Sequence, residues 1–148
     1  YHINPQGLPG RLEGEALALS YRHSAYSENG CIITTLCLSL APGDPKAIDR
    51  KHKELMARRK EKQPLEYPSA GSVFKRPEGY FAGTLIEQCG LKGRSVGGAQ
   101  VSRKHAGFII NTGNATCADV QALIHLIQEE VLKAAGVKLE PEIRRIGG

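Results

Sequence analysis

The 148-residue chain is long enough for one domain with a real core, or for one domain and part of another, and its 41% hydrophobic and 24% charged content is that of a folded soluble protein. No apolar run approaches the roughly 20 residues of a membrane-spanning helix, and no charged start, apolar middle and small-residue cleavage site marks a secretory signal. The formal net charge of +5 leaves anionic partners open, to be judged by where the charges fall.

Residues 1–13 carry Pro5, Gly7, Pro9 and Gly10 and read as loop. The chain opens at Tyr1 without a methionine, and a preceding segment is expected. Glu15 to Tyr21 partly alternates and predicts a strand, with Arg22 emerging at its end. Asn29-Gly30 is a turn pair, and Cys31 to Ala41 (C-I-I-T-T-L-C-L-S-L-A) predicts a buried strand that forms a hairpin with the first. Asp44-Pro45 then predicts a helix start, and the helix ends near Lys62, before Pro64. Seven of the chain's 20 basic residues lie between Arg50 and Lys62. Such a cluster is either a nucleic-acid face or, more commonly, the solvated side of one helix, and no aromatic residue is interleaved to stack on bases.

The stretch Tyr67 to Pro77 (Y-P-S-A-G-S-V-F-K-R-P) carries the first chemical signal. Ala70 and Gly71 let the backbone pass close to a ligand, and Ser72 stands at the entrance to the apolar pair Val73-Phe74, with Lys75 and Arg76 just behind. A hydroxyl presented this way beside two cations suits an anionic substrate, although a plain strand-entry turn fits the same residues. The basic, Gly-rich stretch 90–98 and the strand-like stretch 106–111 read as parts of the same site. Tyr80 to Gln88 predicts a short helix stopped by Gly90, and 97–102 and 107–111 predict two strands joined by a basic turn. Thr116 with Asp119 forms a helix-start signature, Val120, Leu123, Ile124, Ile127 and Val131 line one face, and Gly136 closes the helix. A last strand is expected over 138–146, and the whole reads as α+β.

Cys31, Cys37, Cys89 and Cys117 have no zinc-site spacing; three lie in or beside apolar runs, where small buried thiols are common, and the compartment reads as reducing, hence cytoplasmic. Three separated groups, Arg22, Ser72 and Glu142, each lie at a predicted strand edge from which they could converge. Arg binds a carboxylate bidentately, and a nearby Glu can stay ionised or share a proton with an intermediate. Serine donates a proton only if cations lower the cost of its alkoxide, a field that Lys62, Lys75 or Lys92 could supply. There is no G-x-S-x-G elbow, and 93–98 (G-R-S-V-G-G) fits no dinucleotide or P-loop fingerprint.

Four ordered motifs then coincide: Y-R-H-S at 21–24, P-S-A-G-S-V-F-K-R-P at 68–77, L-I-E-Q-C-G-L-K-G-R-S-V-G-G-A-Q-V-S-R-K-H-A-G-F-I-I-N at 85–111 and L-E-P-E-I-R at 139–144. With them the chain, from about Leu17 to Gly147, resembles the C-terminal half of the UDP-N-acetylenolpyruvoylglucosamine reductase (MurB) family of peptidoglycan synthesis. Because the Asp44 helix follows Leu40-Ala41-Pro42 directly, it resembles the branch without a tyrosine-bearing insertion. The resemblance implies an oxidoreductase in which NADPH reduces FAD and a hydride passes to UDP-N-acetylglucosamine enolpyruvate, giving UDP-N-acetylmuramate. It implies Ser72 as proton donor, Arg22 on the substrate carboxylate and enolate, and Glu142 acting with that arginine. Lys62, Lys75, Arg76, Lys92 and His105 match positions near the nucleotide diphosphate, and Tyr21, beside Arg22, a substrate-binding position. The same resemblance divides the chain into a remnant of an α+β flavin-binding domain at 1–65, a substrate-binding domain with a small, largely antiparallel sheet at 66–138, and a strand at 139–148 returning to the flavin-binding domain. The main flavin-binding region is expected upstream of Tyr1, which would leave this chain inactive alone. Competing readings are a non-catalytic UDP-sugar binding module and, as the weakest, an RNA-binding domain using the Arg50–Lys62 face.

Overall fold

The first 44 residues bury none of their side chains. The computed structural model describes residues 1–146, so the last two positions of the expected 139–148 strand lie outside the described residues. The chain forms two compact units, Tyr1–Asp44 and a second that begins at Pro45.

In the first unit, strands β1 (His2–Ile3), β2 (Pro9–Gly10) and β3 (Ile32–Ile33) make an antiparallel sheet in the order β2-β1-β3, with His2 opposite both Gly10 and Ile33. The expected N-terminal loop is therefore a hairpin. Its turn is held by Asn4, whose side-chain oxygen accepts the N–H groups of Gln6 and Leu8 at 3.0 and 2.8 Å, while Gly7 supplies a φ of +80°. The expected strand at Glu15–Tyr21 is instead a 3-10 turn over Gly14–Leu17, ended by Ala18 in the left-handed region with φ +45°. The buried strand expected over Cys31–Ala41 shrinks to the two residues of β3, and Leu36, Leu38 and Leu40 are exposed. Strand-forming side chains hold an extended, buried run only where a layer covers them, and here no side chain of the unit is more than partly buried. Cys37, read as one of the buried thiols, is likewise exposed.

The second unit opens with helix α1 (Pro45–Lys62), which starts on the predicted proline and buries no residue. After it come β4 (Ser69–Ser72), α2 (Ala82–Gln88), β5 (Ser95–Val96), β6 (Ala99–Val101), β7 (Phe108–Asn111) and α3 (Cys117–Ala135). The four strands form one antiparallel sheet in the order β4-β7-β6-β5. Helix α3 lies against β5, β6 and α2, and its apolar stripe of Leu123, Ile124, Ile127 and Val131 is buried with Val101, Ile109, Leu85 and Ile86.

The start of α3 is a full capping box. Thr116 Oγ1 accepts the Asp119 N–H at 3.1 Å, and an Asp119 carboxylate oxygen accepts the Thr116 N–H at 2.8 Å. The Thr116 N–H donated to it holds the Asp119 carboxyl below the ordinary Asp range, with further contributions from the Thr116 hydroxyl and the Gly98 N–H. Gly136, with φ +68°, closes the helix as expected.

Beyond α3 the chain returns to the free side of β4. Fully buried Leu139 anchors it, and Gln128 Nε2 donates to the Leu139 carbonyl at 2.8 Å. The expected strand over 138–146 is reduced to one bridge between Phe74 and Pro141. Two bonds flank it, Lys75 N–H to Glu140 O and Glu142 N–H to Val73 O, both 2.8 Å, so Pro141 occupies the non-hydrogen-bonded position, where its missing N–H costs the pairing nothing.

Candidate active site on the edge of the second unit's sheet

Ser72 is placed by a bulge. Ser69 lies opposite Ile110 and Ser72 opposite Phe108, so β4 fits one residue more than β7 into the same span. Gly71 absorbs the extra residue at φ +87°, a conformation open to glycine and costly for other side chains, and its N–H is held by Ser69 Oγ at 3.0 Å. The Ser72 hydroxyl is thereby exposed, while Val73 and Phe74, at 2% and 3% exposure, peg the backbone into the core immediately after it. Val73 then bonds on both sides: its N–H donates to Gly107 O at 2.9 Å and its carbonyl accepts the Glu142 N–H. Ser72 and Glu142 are thus on adjacent backbones, although 70 positions separate them in the sequence.

The cations behind Ser72 are oriented by neighbours. Lys75 Nζ lies 3.3 Å from Glu140, and the Arg76 guanidinium sits 4.0 Å over the Phe81 ring. The His105 ring is half-buried and edge-on to Phe108, with centroids 4.9 Å apart, and its Nδ1 accepts the Gly107 N–H at 3.1 Å. Lys62 is the last residue of α1 and exposed. Lys92 lies beside β6, two strands from β4, with its ammonium 2.5 Å from Glu87.

Arg22 and Tyr21 belong to the first unit, at the tip of a tight turn closed by reciprocal bonds between Ser20 and His23. Arg22 holds φ +55°, which costs an arginine on the order of 1 kcal/mol, and its guanidinium lies 5.8 Å from the Tyr21 ring centre. Backbone strain of this kind concentrates at functional positions.

The 90–98 stretch runs beside β6, two strands from β4 in the sheet order. Three of its four glycines pack on their own unit: a Cβ at Gly93 would meet the Arg103 guanidinium, one at Gly97 the Asp119 carboxylate, and one at Gly98 the backbone of Gly113 and Ala115, while Gly90 is open. Gly107, from the 106–111 stretch, adjoins Ser72. Phe81, Gly83 and Gly107 also belong to the site's surroundings and were not singled out by sequence. Gly83 did carry a signal, because a glycine inside a short helix weakens it unless a neighbour needs the space.

Along β4 an open groove of about 410 Å³ is lined by Pro68, Ala70, Val73, Ile109, Thr116 and Ile143, among others. Among the described residues, no three His, Cys, Asp or Glu side chains gather as a metal site, and no helix is long and apolar enough to cross a membrane.

Comparison with known proteins gives a consistent picture. A family model described as "UDP-N-acetylenolpyruvoylglucosamine reductase, C-terminal domain" matches residues 63–146, more than half of the chain. A protein named UDP-N-acetylenolpyruvoylglucosamine reductase from Agathobacter rectalis is 58% identical over 133 residues, 90% of this chain and 42% of that protein. One of the same name from Clostridium novyi is 51% identical over 145 residues, 98% of this chain and 47% of that protein. The crystal structure of UDP-N-acetylenolpyruvylglucosamine reductase (MurB) from Thermus caldophilus superposes with a TM-score of 0.74 at 38% identity, covering 88% of this chain and 46% of that one. The chain thus spans a little under half the length of the curated relatives it matches.

Proposed function

The chain belongs to the UDP-N-acetylenolpyruvoylglucosamine reductase family, and on that premise we propose that it is the proton-donating, substrate-holding part of an oxidoreductase that converts UDP-N-acetylglucosamine enolpyruvate to UDP-N-acetylmuramate in peptidoglycan synthesis. The observation that carries the reading is the adjacency of Ser72 and Glu142 across the Val73 backbone, with Lys75 and Arg76 directly following. The chemistry that FAD supplies is hydride donation to the enolpyruvyl double bond, with NADPH as reductant. The grip on the flavin would lie mainly with other parts of such a reductase.

The work of this chain is the proton. When the double bond receives a hydride, its electron pair moves onto the carbon beside the substrate carboxylate. Arg22, always charged, would hold that carboxylate and stabilise the enolate. Ser72 would then give its proton to the carbon, its O–H bond breaking as the C–H bond forms. A neutral serine is a very weak acid, so the transient alkoxide needs nearby positive charge, which Lys75 and Arg76, three and four residues on, would supply. Glu142 would act with Arg22 and restore the serine proton. Lys62, Arg76 and Lys92 would serve the uridine diphosphate, for which fixed cations are the natural partners, and Tyr21 would line the substrate beside Arg22. Residues 1–65, with their exposed apolar Ile32, Ile33, Leu36, Leu38 and Leu40, would belong to the flavin-binding domain. Residues 66–138 would bind substrate, and the segment from 139 would lead back to the flavin-binding domain. The enzyme would act in the cytoplasm, where its nucleotide substrates are found.

The test is a chimera in which this chain replaces the matching portion of the Agathobacter rectalis relative. Enolpyruvate-dependent oxidation of NADPH is the expected result. Binding of the UDP-sugar without turnover, by a chimera that still binds and reduces flavin, would replace the reading with that of a non-catalytic UDP-sugar module.

A further inference from the structure

The imidazole of His105 occupies a slot that exists because two residues lack side chains. A Cβ at Gly83 would lie 3.3 Å from its Cε1, and a Cβ at Gly107 would lie 3.1 Å from Cε1 and 3.2 Å from Nδ1. The Phe108 ring closes another side, edge-on at 4.9 Å. The backbone of the same turn is tied down as well: Ser102 Oγ, on a residue 1% exposed, accepts the N–H groups of Lys104 and His105 at 3.1 and 3.2 Å, and Phe108 N–H donates to His105 O at 3.0 Å. Within this frame Nδ1 accepts the Gly107 N–H at 3.1 Å, which places the ring's proton on Nε2.

Gly107 is also the residue that sets Ser72. Its carbonyl accepts the Val73 N–H at 2.9 Å, and its missing Cβ would stand 3.7 Å from Ser72 Oγ. The next residue, Phe108, is the register partner of Ser72. We infer that His105 is a positioning residue for Ser72, acting through the Nδ1 bond that fixes Gly107 rather than through contact with the substrate's nucleotide. This rests on the reading that Ser72 gives up the proton. Proton transfer tolerates little displacement, because a misplacement of about 1 Å can cost roughly a hundredfold in rate. A single bond upstream of the Val73 latch is therefore enough to matter.

Two isosteres separate the ends of the ring. In His105→Asn the amide oxygen takes the place of Nδ1 and can accept the Gly107 N–H, while in His105→Gln the longer side chain carries its amide toward the place of Nε2. The experiment measures, in the chimera, the single-turnover reoxidation of pre-reduced flavin by the enolpyruvate substrate, together with substrate affinity. His105→Asn should stay close to the parent rate. His105→Gln and His105→Ala should fall by about 10- to 100-fold in rate with affinity little changed. Retention in Gln with loss in Asn, or a loss confined to affinity, would overturn the inference. If His105→Ala does not fold, the Asn and Gln pair decides alone. On this chain itself, ¹⁵N NMR should show His105 protonated at Nε2 and unprotonated at Nδ1, and the Gly107 amide should exchange slowly in the parent and in His105→Asn but not in His105→Gln. A proton on Nδ1 would refute the bond on which everything else depends. A parent chimera without enolpyruvate-driven reoxidation would instead refute the functional reading, with the NMR result still judging the hydrogen bond.

Discussion

Leu139 and Leu40 are the same residue in opposite surroundings, at 0% and 81% exposure, and replacing each with alanine separates packing from composition. Leu139→Ala deletes three carbons, worth about 2–3 kcal/mol in transfer free energy at about 0.8 kcal/mol per methylene. The cavity left in the core that Leu139 shares with Val131, Ile127 and Phe74 adds to this, so the loss should be about 3–4 kcal/mol. Leu40→Ala removes as many atoms from water-exposed chain and should change stability by less than about 0.5 kcal/mol. Urea unfolding followed by far-UV circular dichroism at 222 nm reads the relevant unit, because all three α-helices lie beyond Pro45. With a slope of about 1.5–2 kcal/mol per molar urea, the Leu139 midpoint should fall by about 2 M. A loss below about 1 kcal/mol would refute the reasoning. It would mean that the 139–142 segment is not pegged into the core, and with it would go the placement of Glu142 beside Val73.

Asp119 gives a pH signature. Its carboxyl is held below the ordinary range, so the stability it contributes is fully present above the unfolded value near about pH 4 and is lost as pH falls through the lowered folded value. Asp119→Ala should therefore flatten the acid side of a stability-against-pH profile from urea titrations, and an unchanged acid slope would contradict the capping role. In the chimera, Arg22→Ala and Glu142→Ala should each remove much of the turnover, and the double variant should be little worse than the poorer single one, because groups acting on one enolate are not additive. Steady-state kinetics showing simple additivity would argue against a shared site. The basic face of α1 should be a solvated surface: Lys53 pairs with Asp49 at 2.7 Å, Lys51 with Glu54 at 3.0 Å, and Arg58 with Glu54 at 3.7 Å, so its positive charge is interleaved with acids. Neutralising Arg58, Arg59 and Lys60 should leave turnover unchanged, and a large fall, or steeply salt-dependent RNA binding lost in that variant, would reverse this view.

What the sequence made legible follows from where the determining contacts lie. Helix α3 was readable because both ends are set locally, by the Thr116–Asp119 box and by Gly136, and because its stripe repeats at the helical period. Strands β6 and β7 were readable because a short basic turn joins two apolar runs. The Cys31–Ala41 run failed because its composition describes a strand under cover, and residue type alone does not say whether cover is present. The final strand is reduced to one bridge at Pro141, because how far two backbones run side by side is a tertiary matter that residue type does not announce. In the site, Ser72 was readable from the small residues before it. The adjacency of Glu142, the seat of Arg76 on Phe81 and the slot between Gly83 and Gly107 are products of tertiary packing, with no local pattern to announce them.

The central claim is that this chain supplies the proton, and Ser72→Ala tests it most directly when the two half-reactions of the chimera are measured separately by stopped-flow flavin absorbance. Flavin reduction by NADPH should remain nearly intact, while reoxidation by the enolpyruvate substrate should slow by roughly a hundredfold or more. Equal losses in both half-reactions, or an unchanged reoxidation rate, would contradict the account and return Ser72 to the role of a residue at the end of a strand.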